Sequence, residues 1–287
     1  GAALNGRVRV RWTAISGNAN AATSRRAGEF LLHKAIFEII GSERNRLDFS
    51  ILASGQVIYS APGRTAFPVR LAVDIFQKVV HYRTKKGGST SFTLYDPCCG
   101  SGYLLVTLAF LNWKYITKII GSDIDPNALQ IAQHNFSLLT PDGINLRIEQ
   151  LSQLVSSYGK SSHSETLENA RLFSEKVNNF QGEHNFDGYL FQADATKSED
   201  LIKNLEGQKV NLVITDIPYG NRTSWMGETP ENLPSIELML SSLLPILSKD
   251  GIVALVSPKR QSFNYSGYKR LTKYLIGKRQ VTILEVS

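Results

Sequence analysis

From Phe92 onward the chain alternates short apolar runs with stretches in which apolar residues recur at helical spacing, the pattern of a parallel sheet covered on both faces. Candidate strands are residues 92–95, 118–122, 189–192, 211–215, 252–256 and 281–285, with helices between them. The fold class that follows is α/β, a doubly wound and mostly parallel sheet. The helix after the second of these strands has the clearest start. Asp125 can cap it, Pro126 takes the first helical position where no amide donor is needed, and Leu129, Ile131, Ala132 and Phe136 face the sheet. Upstream, "SAPGRTAFPVRLAVDIFQKVV" breaks at Pro62-Gly63. Pro68 then opens a helix in which Leu71, Ile75, Phe76, Val79 and Val80 recur at helical intervals, before the Gly87-Gly88 turn. Residues 28–40 read as a short helix and 51–59 as an extended segment.

Residues 140–186 interrupt the alternation. They are polar and rich in Ser, Gln and Asn, and they predict surface helices around 151–158 and 167–177, an insertion of the length used for lids and docking elements. The expected organisation is an N-terminal extension, 1–50, and one domain, 51–287, carrying this helical insertion. A chain of 287 residues with 42% hydrophobic content can bury a sizeable core. Its longest nearly uninterrupted apolar stretch, 103–111, is about half of the ~20 residues that cross a bilayer, so no membrane partner is expected. Two adjacent cysteines, Cys98 and Cys99, build neither a disulfide framework nor a four-ligand zinc site. No metal is expected, the compartment is read as reducing, and a monomer is the expected state.

The formal charge of +7 matters less than its distribution. Between Pro258 and Arg279 lie Lys259, Arg260, Lys269, Arg270, Lys273, Lys278 and Arg279 with no acidic residue, interleaved with Phe263, Tyr265, Tyr268 and Tyr274. Such a segment can track a phosphate backbone and stack on bases, or it is an amphipathic terminal helix with a solvated basic face. The stretch before Glu29 is also free of acids and carries Arg7, Arg9, Arg11, Arg25 and Arg26. A transit-peptide remnant and an ordinary disordered extension both fit it, so the expected location is cytoplasmic, or organellar under the first reading.

"LYDPCCGSGYLL" places Asp96 at the end of the first candidate strand, then Gly100 and Gly102 in a tight loop before an apolar helix. The loop lacks the third glycine of a dinucleotide fingerprint, and a carboxylate there repels a diphosphate but attracts a cation such as a methionine ammonium. The next strand ends in "IIGSDIDP", where Asp123 is placed to accept hydrogen bonds from ribose hydroxyls. The third ends in "LFQADA", where Asp194 can receive the exocyclic amine of an adenine. Each of these acids could equally be a helix N-cap. Together they match S-adenosylmethionine. On the fourth strand "VITDIPYG" sets Asp216, Pro218 and Tyr219 at the same edge. If the Asp216 carboxylate and the Pro218 carbonyl accept the two hydrogens of an exocyclic amine, its nitrogen is oriented toward a sulfonium methyl, while Tyr219 offers a face for a planar base.

"SAPGRTAFPVRLAVDIFQ", "LYDPCCGSGYLL", "GSDIDPNALQIAQHNFSLL" and "VITDIPYGNRTSWMGE", in this order, resemble the AviRa-like family of rRNA methyltransferases, over roughly residues 57–256. The likeness includes the double cysteine and the Arg222-Thr223-x-Trp225 stretch. It implies a Rossmann-like class I methyltransferase that transfers a methyl group from S-adenosylmethionine to the exocyclic N2 of a guanine in large-subunit ribosomal RNA. Asp96, Gly100, Gly102, Asp123 and Asp194 then contact the cofactor, and Asp216, Pro218 and Tyr219 the target base. The Pro68 helix resembles the element ahead of the first strand in amino-methyltransferases, which directs Arg70 to the methionine carboxylate, to an RNA phosphate or to a surface salt bridge. Arg222, Lys259, Arg260, Lys269 and Arg270 are candidate RNA contacts, with ribosomal RNA or the large subunit as partner. The extension before about residue 51 and the C-terminal segment depart from the family pattern. Competing readings are methylation of adenine or of a protein glutamine amide, a non-catalytic RNA-binding assembly module and, more remotely, a nicotinamide-dependent enzyme.

Overall fold

The computed structural model describes residues 8–12, 49–60, 66–89, 91–181, 186–217 and 235–287. Its strands are β1 (Val8–Trp12), β2 (Phe92–Asp96), β3 (Ile116–Asp123), β4 (Phe186–Gln192), β5 (Val210–Asp216), β6 (Leu247–Pro258), β7 (Tyr268–Ile276) and β8 (Arg279–Val286). They form one sheet in the order β1-β4-β3-β2-β5-β6-β8-β7. The five central strands are parallel, and β1, β8 and β7 join by antiparallel pairing. The strand order reverses between β2 and β5, and in open α/β sheets that switch point opens a crevice at the carboxyl ends of the strands.

The helices are α1 (Val69–Lys85), α2 (Tyr103–Asn112), α3 (Pro126–Ser137), α4 (Pro141–Tyr158), α5 (Ser161–Gln181), α6 (Ser198–Leu205) and α7 (Ser235–Leu243). One core joins α1 to α5 to the sheet through residues such as Phe76, Phe92, Leu105, Phe136 and Ile214. The other joins α6 and α7 to the opposite face through Leu201, Leu240, Val213 and Leu255. Alternate residues of β5 and β6 therefore enter different cores. Burial on both faces is what makes these strands read as continuous apolar runs. The cap of α3 is as expected, with the Asp125 side chain accepting from the Asn127 amide at 2.9 Å and Pro126 in the first turn.

Four expectations need correction or extension. Residues 50–52 form a 3-10 turn, and the segment through Tyr59 bends back on itself with only a Ser54–Ile58 bridge, so 51–59 is not extended. Val8–Trp12, inside the stretch expected as an extension, pairs with β4. The helix proposed as an alternative for the basic C-terminal stretch is instead β7, turned into β8 at Gly277, whose φ of 54° suits the first position of a tight hairpin. The insertion forms helices longer than expected, and they are not merely superficial. Phe173 stacks on Phe110 at 4.0 Å and Phe180 on Trp113 at 4.4 Å. The Arg147 guanidinium covers the Tyr59 ring at 4.1 Å, and its Nε donates to the Val57 carbonyl. The insertion thus braces the segment ahead of α1. The helix expected over 28–40 lies outside the described residues.

Candidate active site

The sheet brings Asp96, Asp123, Asp194 and Asp216 to its carboxyl edge because each ends, or closely follows, a parallel strand. Asp96 and Asp216 end β2 and β5, which are paired neighbours at the switch point. Asp123 ends β3. Asp194 follows β4 by two residues, in a turn whose Ala193 amide donates to the Asp123 carbonyl.

Between Asp96 and α2 the loop is held from below. The Cys99 amide donates to the Ser122 carbonyl, and the Tyr95 hydroxyl and Ser122 Oγ are 2.7 Å apart beneath it. Asp123 Oδ2 accepts from the Gly100 amide at 2.7 Å, and its Oδ1 accepts from the Asp125 amide. Gly100 and Gly102 have φ of 54° and 71°, in the left-handed region. A Cβ on Gly102 would stand 3.1 Å from Phe136 Cε1 and 3.2 Å from Ala132 Cβ, so the second glycine is also required for the loop to lie on α3.

Asp96 is 2% exposed. Its Oδ1 accepts from the Cys98 amide at 3.0 Å. Burial pushes its carboxyl up to about 7, against the Cys98 amide and the nearby Thr215 hydroxyl, which favours the charged form although it lies outside hydrogen-bond geometry; the Asp123 and Asp216 charges add to the rise. Among the described residues no basic side chain offsets that charge. Burial also pushes the Asp216 carboxyl up, to about 6, with the Arg279 guanidinium opposing. Burial and the neighbouring Asp96 and Asp123 charges raise the Cys98 and Cys99 thiols well above their ordinary range, so the double cysteine does not supply a ready nucleophile.

Asp194 is close enough to this cluster to act on the Cys98 thiol, but its carboxylate is engaged locally. Oδ1 accepts from the Thr196 amide at 3.0 Å and from Thr196 Oγ1 at 2.7 Å, and Oδ2 lies 3.7 Å from Lys197 Nζ. Asp194 thus braces its own turn and does not cap α6, whose N-cap position is Lys197 without a side-chain bond. Pro218, Tyr219 and Arg222 lie outside the described residues. The described chain continues to Ile217, whose amide donates to the Val256 carbonyl at 2.9 Å and carries strand pairing past Asp216.

The candidate RNA contacts separate. Lys259 and Arg260 are exposed just beyond β6, on the same edge as the acids, and Arg260 adopts φ of 64°. Lys269 and Arg270 are exposed too, but they open β7 next to Glu285 and Leu284, opposite the start of β6's paired run at Ile252. That is the amino edge. From register they lie about 13 Å along the strands and three strands, about 14 Å, across from Asp216. Lys269 Nζ is 3.8 Å from Glu285 Oε1. The fold therefore does not bring Lys269 and Arg270 to the site, since hairpin geometry and not helical proximity sets their place. Arg70 is exposed at the start of α1, its guanidinium 5.4 Å from the Phe49 ring centre.

Sequence reading passed over Arg279 as a site residue. It begins β8 opposite Pro258, two residues after the Val256 that pairs with Asp216. The hairpin signal lay in Gly277-Lys278 flanked by β-branched and aromatic residues.

Comparison with known proteins places this geometry. The family model described as rRNA methyltransferase AviRa matches residues 42–279. The chain is 35% identical over 242 residues to a 23S rRNA (guanine(2535)-N(1))-methyltransferase of Streptomyces viridochromogenes, covering 84% of this chain and 94% of that protein. It is 26% identical over 201 residues to a probable tRNA (guanine(10)-N2)-dimethyltransferase of Methanothermococcus thermolithotrophicus, covering 67% and 89%. Among solved structures, rRNA methyltransferase aviRa from Streptomyces viridochromogenes superposes with a TM-score of 0.74 at 34% identity, covering 84% of this chain and 93% of that one.

Proposed function

The chain belongs to the AviRa family of rRNA methyltransferases, and on that footing we propose that it methylates N1 of a guanine in large-subunit ribosomal RNA. The methyl donor is S-adenosylmethionine, which supplies an electrophilic methyl group on a sulfonium sulfur.

The residues present fit that donor. Asp96 is a buried carboxylate without a basic partner among the described residues, suited to an ammonium group. Asp123 accepts from the Gly100 and Asp125 amides, one on each oxygen, which fixes its carboxylate at the end of β3 where ribose hydroxyls would meet it. Gly100 and Gly102 keep the loop free of side chains where a ligand must approach. Asp194, already committed to Thr196, takes a supporting part in this reading: it shapes the turn beside the adenine position.

The choice of N1 rests on Asp216. Guanine N1 is a lactam N–H whose lone pair becomes available to an electrophile as its proton departs, so transfer at N1 needs a proton acceptor. A carboxylate raised to about 6 is poised to accept near neutral pH. In the balanced step, the N1–H bond breaks toward the Asp216 carboxylate, N1 forms the bond to the methyl carbon, and the pair of the broken C–S bond stays on sulfur. Pro218 and Tyr219 follow directly in sequence, and a proline with a fixed φ and an aromatic ring are residue types suited to hold and stack a planar base. Lys259 and Arg260, beside this edge, are the nearest candidates for phosphate contacts.

A second reading, transfer to the exocyclic N2, is favoured by the form of the Asp-Ile-Pro-Tyr turn. The more distant archaeal relative is named for that position. Incubation of the purified protein with S-adenosylmethionine and large-subunit rRNA, followed by chromatography of the nucleosides, separates the two. Release of 1-methylguanosine supports the proposal; N2-methylguanosine replaces it with the second reading. An inosine placed at the mapped target keeps N1 and lacks the amino group, so it is methylated only if N1 is the acceptor.

A further inference from the structure

We propose that Arg279 is a positioning residue of the methyl-transfer site, carried to the carboxyl edge by the β7–β8 hairpin to hold Asp216 charged and aimed at the guanine. This rests on the N1 reading above, in which Asp216 must arrive ionised.

The placement follows from register. Asp216 pairs with Val256 on one side of β6, and Arg279 pairs with Pro258 on the other. The two side chains thus start from the flanks of one strand, offset by two residues along the edge where the base is turned in. Arginine is long enough to cross that strand. Its guanidinium carbon lies 5.9 Å from the centre of the Phe67 ring, which is 6% exposed and precedes the Pro68 cap of α1. The ring confines the guanidinium from one side, as a cation–π contact does.

Each partner also carries a buried polar atom without a hydrogen-bond partner, Asp216 Oδ1 and Arg279 Nε. Most buried polar atoms are satisfied, so two orphans in one corner call for an explanation, and a base presenting both donors and acceptors would supply it. Among the described residues, two charged groups act with Asp216. Asp96, from β2, is mutually repulsive with it; Arg279, from β8, attracts it; β6 presents only Val256, Ser257 and Pro258 before the exposed Lys259 and Arg260. Among the described residues Arg279 is the cation that acts on Asp216. Without it, burial would favour the protonated acid, which cannot accept a proton.

The test compares Arg279→Gln and Arg279→Lys with the parent protein. The first readout is the titration of the Asp216 carboxyl in the cofactor-free protein by carbon-13 NMR, assigned with Asp216→Asn. The second is the pH–rate profile for rRNA methylation, with the methylated nucleoside identified. The glutamine variant should titrate at least one unit higher at Asp216. Its acid limb should move by the same amount, with the rate below that limb falling about tenfold per unit, while the rate at pH 9 and the affinity for S-adenosylmethionine change far less. The lysine variant should keep the parent titration and recover most of the low-pH rate. An unmoved Asp216 titration in the glutamine variant, or an equal loss of rate at every pH, overturns the proposal. If the glutamine variant fails to fold, Arg279→Met takes its place with the same readouts: a raised Asp216 titration supports the proposal, and an unmoved one overturns it. Formation of N2-methylguanosine by the parent protein would instead remove the N1 reading, and the titration would still decide whether Arg279 governs Asp216.

Discussion

Replacing Asp96 by Asn should stabilise the ligand-free protein at alkaline pH while weakening its hold on S-adenosylmethionine. The Asp96 carboxyl is raised to about 7 by burial, against about 3.9 in an unfolded chain. The native state therefore binds the proton more tightly, and the contribution of Asp96 to stability falls as pH rises from about 4 through about 7, then levels off. At about 1.4 kcal/mol per unit, the full difference is roughly 4 kcal/mol, of which about 2 kcal/mol falls between pH 5.5 and 8.5. Asparagine escapes this cost. Its Oδ1 can still accept from the Cys98 amide, the contact that the aspartate makes at 3.0 Å. Urea unfolding at the two pH values should thus show the stability of the variant relative to the parent rising by about 2 kcal/mol toward pH 8.5. Calorimetry should show the reverse preference for cofactor. The parent's affinity should strengthen about tenfold from pH 6 to pH 8 with release of a proton, as the ammonium selects the ionised acid, and the variant should bind weakly at both. A stability difference that does not vary with pH would refute the burial argument, and equal cofactor affinities at pH 8 would take Asp96 out of the donor site.

Other expectations concern separate parts of the molecule. Gly102→Ala imposes a side chain at φ of 71° against Phe136 and Ala132 and should cost about 1–3 kcal/mol, seen in thermal unfolding, with at least tenfold weaker cofactor binding by calorimetry. Asp216→Ala should retain cofactor affinity and lose about 10²-fold or more in single-turnover methylation, and a parallel loss of affinity would assign it to the donor site. Phe173→Ala opens a cavity against Phe110 and should destabilise the protein by about 3–5 kcal/mol; an unchanged unfolding midpoint would mean that the insertion is not part of the core. Alanine at Lys259 and Arg260 should weaken RNA binding and flatten its salt dependence in filter-binding assays. The same change at Lys269 and Arg270, on the far edge, should do neither.

The central strands could be read from sequence because burial on both faces leaves them as uninterrupted apolar runs, as in the Leu212–Ile214 and Ile252–Leu255 segments. The edge strands were harder. In β7 the basic residues Lys269, Arg270 and Lys273 and an irregular register between Arg270 and Thr272 disguise the alternation, while β1 is carried by an Arg-rich sequence that composition alone marks as unstructured. The segment before α1 gives no local signal for its bent path, because what holds it is remote: Arg147 and Gln150 from the insertion and Asn135 from α3 bond to Val57 and Tyr59. Strand-end position sufficed to expect Asp96, Asp123 and Asp216 together at the carboxyl edge, where the sheet carries them. That Asp194 is spent on its own turn, and that Arg279 arrives from the C-terminal hairpin, depends on side-chain reach and sheet order, which neighbouring residues in sequence do not encode.

The most direct measurement is a crystal structure of the protein with S-adenosylmethionine bound. The methionine ammonium should meet Asp96, the ribose hydroxyls Asp123, and the sulfonium methyl should point across a gap one base wide toward Asp216 and Tyr219. A donor seated elsewhere on the sheet edge, or one whose methyl group faces away from Asp216, would contradict the assignment of this corner as the place of transfer.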